Sequence, residues 1–104
     1  MYRIGIIGYG AIARLHATVL HMLPQLYPQL ALRPQLAAIC AGGPQSQATA
    51  RRDWPAVPQL SYAELLADPT IALVLCATPT GSHAEHVAQA LAAGKHVFCE
   101  KPLT

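Results

Sequence analysis

The chain has little charge, few aromatics and no long apolar run. Charged residues make up 12% of it, against roughly 25% in an ordinary soluble domain, and aromatics 6%. So little charge excludes a disordered tail, a solvated linker and a coiled coil. The net charge is +2, and the seven basic residues are scattered rather than striped, so no nucleic-acid partner is expected. The longest uninterrupted apolar stretch, Ile71–Ala77, falls far short of the roughly 20 residues of a membrane span, so no membrane partner is expected either. Met1-Tyr2-Arg3 leads into an apolar run broken at Gly5 and Gly8, which does not read as a signal peptide. The three cysteines, Cys40, Cys76 and Cys99, are odd in number and far apart. With no C-x-x-C pair and no disulfide framework, they point to a reducing cytoplasm. What abounds is apolar: 53% of 104 residues, enough for one small domain with some surface left for covering by something else.

The apolar pattern alternates between two periods. Ile4-Gly5-Ile6-Ile7 is short, β-branched and closed by glycine, as a buried strand is. After Gly10 the period changes, and Ile12, Leu15, Val19 and Leu23 line one face of a helix that Pro24 is expected to stop. Leu36–Cys40 predicts a second strand and Gln45–Asp53 a second helix, ended before Pro55. Ser61-Tyr62-Ala63-Glu64 has capping-box spacing, so a short helix over Tyr62–Ala67 should follow. Ile71–Ala77 is apolar on both faces and predicts a central strand. Ser82–Glu85 repeats the capping-box spacing before a helix through Ala84, Val87, Ala88 and Leu91, which Gly94 ends. His96–Cys99 predicts the last long strand, and Gln59-Leu60 a short one. Strands alternating with helices imply right-handed crossovers and a parallel sheet, here an incomplete doubly wound α/β sheet of about five strands. Pro-Gln-Leu recurs at 24–26, 28–30, 34–36 and 58–60, and reads as a Pro-rich surface insertion between the first helix and second strand.

Gly8-Tyr9-Gly10-Ala11-Ile12-Ala13 is G-x-G-x-x-A at a strand-to-helix junction. Gly8 permits the tight turn, Gly10 lets the backbone approach a pyrophosphate, and Ala13 keeps helix and strand close. The helix N-terminus then offers free N–H groups and partial positive charge to phosphates. Glycines at such a turn can also serve the turn alone, so the strand–turn–helix setting is what makes the motif informative. His83 and His86 share a helix face without the H-E-x-x-H spacing or a completing ligand, so no metal is expected. Cys99 reads as a strand cysteine rather than a nucleophile.

Three blocks in order resemble the N-terminal domain of the Gfo/Idh/MocA (glucose–fructose oxidoreductase/inositol dehydrogenase) family. They are Ile6–Ala13, then Ala77-Thr78-Pro79-Thr80-Gly81-Ser82-His83, then Gly94-Lys95-His96-Val97-Phe98-Cys99-Glu100-Lys101-Pro102, which ends on the most specific motif. The resemblance spans essentially the whole chain and implies a Rossmann-like domain binding NAD or NADP. It also implies hydride transfer to or from a hydroxyl-bearing carbon, as in a sugar or polyol. By resemblance Lys101 is catalytic, beside nicotinamide and substrate oxygen, where an ammonium can stabilise oxyanion charge and relay a proton. Glu100 resembles the carboxylate that orients that lysine and the cofactor, and Pro102 a proline after a cis peptide bond. Thr78 and Pro79 are implied to lie against the dinucleotide, with His83 beside the same crevice and His16 a further candidate. Without the resemblance, Glu100 and Lys101 would read as a solvated ion pair, and the histidines as capping or packing residues.

Two departures from the family pattern matter. The acidic residue that holds the ribose 2′-hydroxyl of NAD at the end of the second strand is missing, since Cys40-Ala41-Gly42-Gly43 stands there, which tilts the cofactor towards NADP. No Arg or Lys stands there either, and Arg51 and Arg52 lie a few turns on, which by sequence is too distant. The family also continues past Glu-Lys-Pro into a second domain that supplies most substrate contacts, and none of it follows Thr104. That leaves three readings: the cofactor-binding portion of an oxidoreductase with little activity alone, a non-catalytic nucleotide-binding or regulatory module, or an inactive truncated remnant. Uncovered apolar surface makes self-association the expectation.

Overall fold

A computed structural model describes residues 2–29, 33–77 and 80–99, with the backbone alone over 80–84. The element order is β1 (Tyr2–Ile7), α1 (Ala11–Leu26), β2 (Pro34–Cys40), α2 (Pro44–Asp53), α3 (Tyr62–Ala67), β3 (Leu73–Cys76), α4 (Thr80–Ala92) and β4 (His96–Cys99). Among the described residues the strands form one parallel sheet in the order β2-β1-β3-β4. The expected strand at Gln59-Leu60 is a single parallel bridge between Ile39 and Gln59, so the sheet has four strands and not five. Pro58 lends only its carbonyl, to the Ile39 N–H (3.1 Å), and too few residues follow before the Ser61 cap to extend the pairing.

Strand alternation divides the core in two. Ile4 and Ile6 of β1 join Ile39 and Leu75 on the face covered by α1 and α2, where Tyr9, Ala13, Ala17 and Ala50 are buried. Ile7, Ala38, Val74 and Cys76 point the other way, onto Leu65 of α3 and Ala90 of α4. Strands buried on both faces read as continuous apolar runs, which is why Leu73–Cys76 stands out in the sequence. A register shift between Ile4 and Gly5 lets β2 carry one extra residue past β1. At Gly5 an added Cβ would lie 3.0 Å from a terminal carbon of Leu65, so glycine there is what admits α3 against the sheet.

Three helix expectations need correction. Pro24 lies inside α1, which runs on to Leu26, where the Tyr27 N–H bonds the Leu23 carbonyl (2.9 Å). A proline in a last turn removes one hydrogen bond without ending the helix at once. The Pro-Gln-Leu repeats at 24–26 and 34–36 accordingly belong to α1 and β2. The buried face of α1 is also not the predicted one. Ala13 and Ala17 meet the sheet, whereas Ile12 and Leu15 are 49% and 59% exposed. Close helix–strand approach selects alanine for the inner stripe, and the larger residues lie one position round the helix. Finally, α4 starts at Thr80, so Ser82 falls within its first turn and is not its cap.

The capping box expected at Ser61 has full side-chain support. The Ser61 Oγ accepts from the Glu64 N–H (3.1 Å) and a Glu64 carboxylate oxygen accepts from the Ser61 N–H (2.8 Å), completing the capping box of α3. Lys95 is 6% exposed, and its ammonium donates to the carbonyls of Asp68 and Ile71, both at 2.8 Å. It ties the α4–β4 turn to the α3–β3 connection.

Candidate functional site

The chain runs outward from β1 to β2, then returns to place β3 on the other side of β1. The strand order therefore reverses between β1 and β3, and open α/β sheets hold ligands beyond the carboxyl ends of strands at that point. The G-x-G-x-x-A segment leaves β1 there. Gly8 has φ of 91°, a left-handed conformation that an L side chain resists, and its N–H bonds the Cys40 carbonyl (2.8 Å). Gly10 caps α1 with no side-chain hydrogen bond, and an added Cβ there would meet nothing within 4 Å. The first bond of α1 runs from the Arg14 N–H to the Gly10 carbonyl (3.0 Å), so the N–H groups of Ala11, Ile12 and Ala13 precede the helical ladder. Ala11 and Ile12 are exposed while Ala13 is buried against the sheet. Between this loop and the start of α2 lies an open cavity of about 220 Å³, lined by Tyr9, Gly10, Ala11, Arg14, Gln45 and Ser46 among others.

The loop is held in place by side chains that the motif does not reveal. The buried Tyr9 hydroxyl donates to the Asp53 carboxylate (2.8 Å) and accepts from the Trp54 indole N–H (2.9 Å). Arg14 donates to the same Asp53 oxygen (3.1 Å), and Arg52 to its other oxygen (3.3 Å). Thus the residue between the two glycines and a residue of the first α1 turn are both fastened to the end of α2. Burial, reinforced by Asp53, pushes the Tyr9 phenol above its ordinary value, so it stays a donor at neutral pH. The Tyr9 hydrogen bond, helped by Arg52 and Arg14, holds the Asp53 carboxyl below the usual range. These partners lie 44 and 45 residues apart, and no local spacing signals them; an aromatic between the two glycines is the sole hint.

His16 turns towards β4, where its ring meets Phe98 edge-on at 5.8 Å. Together with Ile4, Val19, Leu20 and Leu73 the pair lines an apolar cavity of about 180 Å³. His86 packs against Tyr62 at 4.8 Å. Among the described residues no group of three His, Cys, Asp or Glu could hold a metal ion, and no helix is long and apolar enough to cross a membrane. Cys40, Cys76 and Cys99 form no disulfide among the described residues; burial pushes Cys76 up to about 11, so it is neutral at physiological pH, and Cys99 is half-buried. Thr78, Pro79, Glu100, Lys101 and Pro102 lie outside the described residues, as does the His83 side chain.

The geometry suits a dinucleotide phosphate group: a left-handed glycine, an unobstructed second glycine, free helix N–H groups and an open cavity meet at one strand end. The profile described as "Oxidoreductase family, NAD-binding Rossmann fold" matches residues 2–104. Levoglucosan dehydrogenase of Pseudarthrobacter phenanthrenivorans is 33% identical over 101 residues, covering 96% of this chain and 26% of the relative. The scyllo-inositol 2-dehydrogenase (NADP(+)) of Bacillus subtilis is 33% identical over 104 residues, covering 98% and 27%. Among solved structures, levoglucosan dehydrogenase in complex with NADH superposes with a TM-score of 0.88 at 32% identity, covering 99% of this chain and 28% of that one. Biliverdin reductase of Synechocystis, with biliverdin and NADP+, gives 0.82 at 34% identity, covering 98% and 30%. The chain thus spans about a quarter of the length of the curated relatives it matches. With sequence, fold and loop geometry in agreement, the chain belongs to the Gfo/Idh/MocA oxidoreductase family, matching its NAD-binding Rossmann fold over residues 2–104.

Proposed function

We propose that these residues hold the nicotinamide coenzyme of a dehydrogenase acting on a hydroxyl-bearing carbon of a sugar or polyol. The carrying observation is Gly10, which caps α1 beside the left-handed Gly8 and faces open space where a side chain would stand. In this reading the N–H groups of Ala11, Ile12 and Ala13 bind the pyrophosphate, and Tyr9 and Arg14 keep the loop rigid through Asp53. A bound nicotinamide would supply hydride acceptance and return. Thr78, Pro79 and His83 would line the same crevice as cofactor contacts, the role that the family resemblance implies for them. Lys101 would hydrogen-bond the reacting oxygen and move its proton, with Glu100 holding the ammonium in position. Substrate contacts would come from a further domain, as the relatives' greater length suggests. On its own the chain would then turn over little and pair with a second copy through its open apolar edge at β4 and α1. Trp54, hydrogen-bonded to Tyr9 under the loop, provides the readout. Titration with NADH should give saturable energy transfer from Trp54 to the dinucleotide; a folded chain that binds neither NADH nor NADPH would refute the proposal.

A further inference from the structure

The end of β2 lacks both the carboxylate that would favour NAD and an adjacent cation for a 2′-phosphate. The fold brings a cation there from elsewhere. Beside Cys40 and Ala41 lies a cavity of about 350 Å³, walled by Gln47 and Arg51 of α2 and by Gln59, Leu60 and Ser61. Arg51 is seven residues beyond Pro44, about 10 Å along the helix. Helical side chains lean towards the N-terminus of their helix, and residues four apart share a face. Arg51 therefore lies over Gln47 and leans back towards the end of β2.

Its electrostatic setting differs from that of its neighbours. Arg14 and Arg52 both bind Asp53. Arg51 makes no hydrogen bond or ion pair among the described residues, and no carboxylate lines its cavity. The nearest acid in sequence on that wall, Glu64, is engaged in the cap of α3. The Cys40 thiol is pushed up by burial and adds no negative charge. The Gln47 carbonyl is already taken by the Gln59 amide (2.8 Å), which ties the two walls together. An unpaired guanidinium in a braced, carboxylate-free cavity is a receptor for a phosphomonoester dianion.

We infer that Arg51 is the residue that selects the coenzyme, binding the 2′-phosphate of NADP beyond the end of β2. The inference rests on the dinucleotide reading above. Its test is titration of the wild-type chain, Arg51→Ala and Gly42→Asp with NADPH and NADH in parallel. Gly42 tolerates the change, because it lies outside the left-handed region and an added Cβ meets nothing within 4 Å. The wild type should favour NADPH. Arg51→Ala should weaken NADPH about 10- to 100-fold, the loss of one charge-assisted contact, while leaving NADH within about twofold. Gly42→Asp should reverse the preference by placing a carboxylate against the 2′ position. Equal affinity for both coenzymes in all three proteins would overturn the role of Arg51 and leave the dinucleotide site standing. Binding of neither coenzyme by the folded wild type would overturn both.

Discussion

The two edges of the sheet are finished differently. At the β2 edge, Ile39 is fully buried, Gln59 adds a bridge, and α3 seats Leu65 at 0% exposure against Gly5. At the β4 edge the strand alternates between exposed and half-buried residues, and Phe98 is 50% exposed. Ile12, Leu15, Val19, Met22 and Leu26 of α1 are also exposed, at spacings of three and four that form one continuous apolar stripe. One edge is a completed core and the other, among the described residues, an exposed surface. The glycine loop after β1 belongs structurally to the completed side, since Tyr9 and Arg14 are anchored to Asp53 and Trp54 at the end of α2. The proposed phosphate binding therefore draws on the closed side, and the proposed pairing with a second copy on the open one.

Substitutions on the two sides should separate accordingly. The largest effect is expected at the closed side: Leu65→Ala should cost about 2–5 kcal/mol, read as a lower urea midpoint, because it empties a packed site under Gly5. An unchanged midpoint would show that α3 does not close that edge. Lys95→Ala leaves the carbonyls of Asp68 and Ile71 without their buried donor and should cost about 1–3 kcal/mol in the same assay.

Acid should act mainly through the closed side. Hydrogen bonds hold three carboxyls below their ordinary values: Asp53 from Tyr9, Glu64 from Ser61 and Asp68 from Thr70. A carboxyl depressed in the folded state stabilises it fully above the unfolded value, near about 4, and loses that contribution as pH falls through the lower folded value. Urea midpoints should therefore be flat from neutral pH to about 5 and fall below about 4. Asp53→Asn should make that fall shallower while weakening dinucleotide binding; an unaltered acid limb would remove Asp53 from the account. The smallest stability effect is expected at the open edge, where Leu15→Gln should change the unfolding free energy by less than about 0.5 kcal/mol. The same variant should reduce self-association in sedimentation velocity, and a wild-type chain that stays monomeric at high concentration would contradict that use of the stripe.

What was legible in the sequence was local. The β1 run, the G-x-G-x-x-A turn, the Ser61–Glu64 box and the apolar β3 each carry their signal within a few residues, and each stands where it was expected. Periodicity identified α1 but gave it the wrong buried face, because its inner stripe is alanine and its larger apolar residues point outward. The strand expected at Gln59 is a single bridge, too short to carry a pattern of its own. Sequence distance made Arg51 look remote from the end of β2, yet α2 returns it to a shared cavity. The Tyr9–Asp53–Trp54 contacts join segments brought together only by the fold. Glu100 and Lys101, the most specific part of the family resemblance, lie outside the described residues, so the assignment of their chemistry rests on sequence.

Dinucleotide binding at this loop requires Gly10 to serve a ligand and not the turn alone. Its φ of −95° is open to any residue, and a side chain there meets only empty space in the free protein. The decisive measurement is NADH and NADPH titration of Gly10→Val beside the wild type, with circular dichroism to follow the fold. Expected are an unchanged spectrum, saturable binding by the wild type, and affinity lost at least about 100-fold in the variant, as a side chain meets the pyrophosphate. A folded Gly10→Val chain that binds dinucleotide as the wild type does would contradict that requirement.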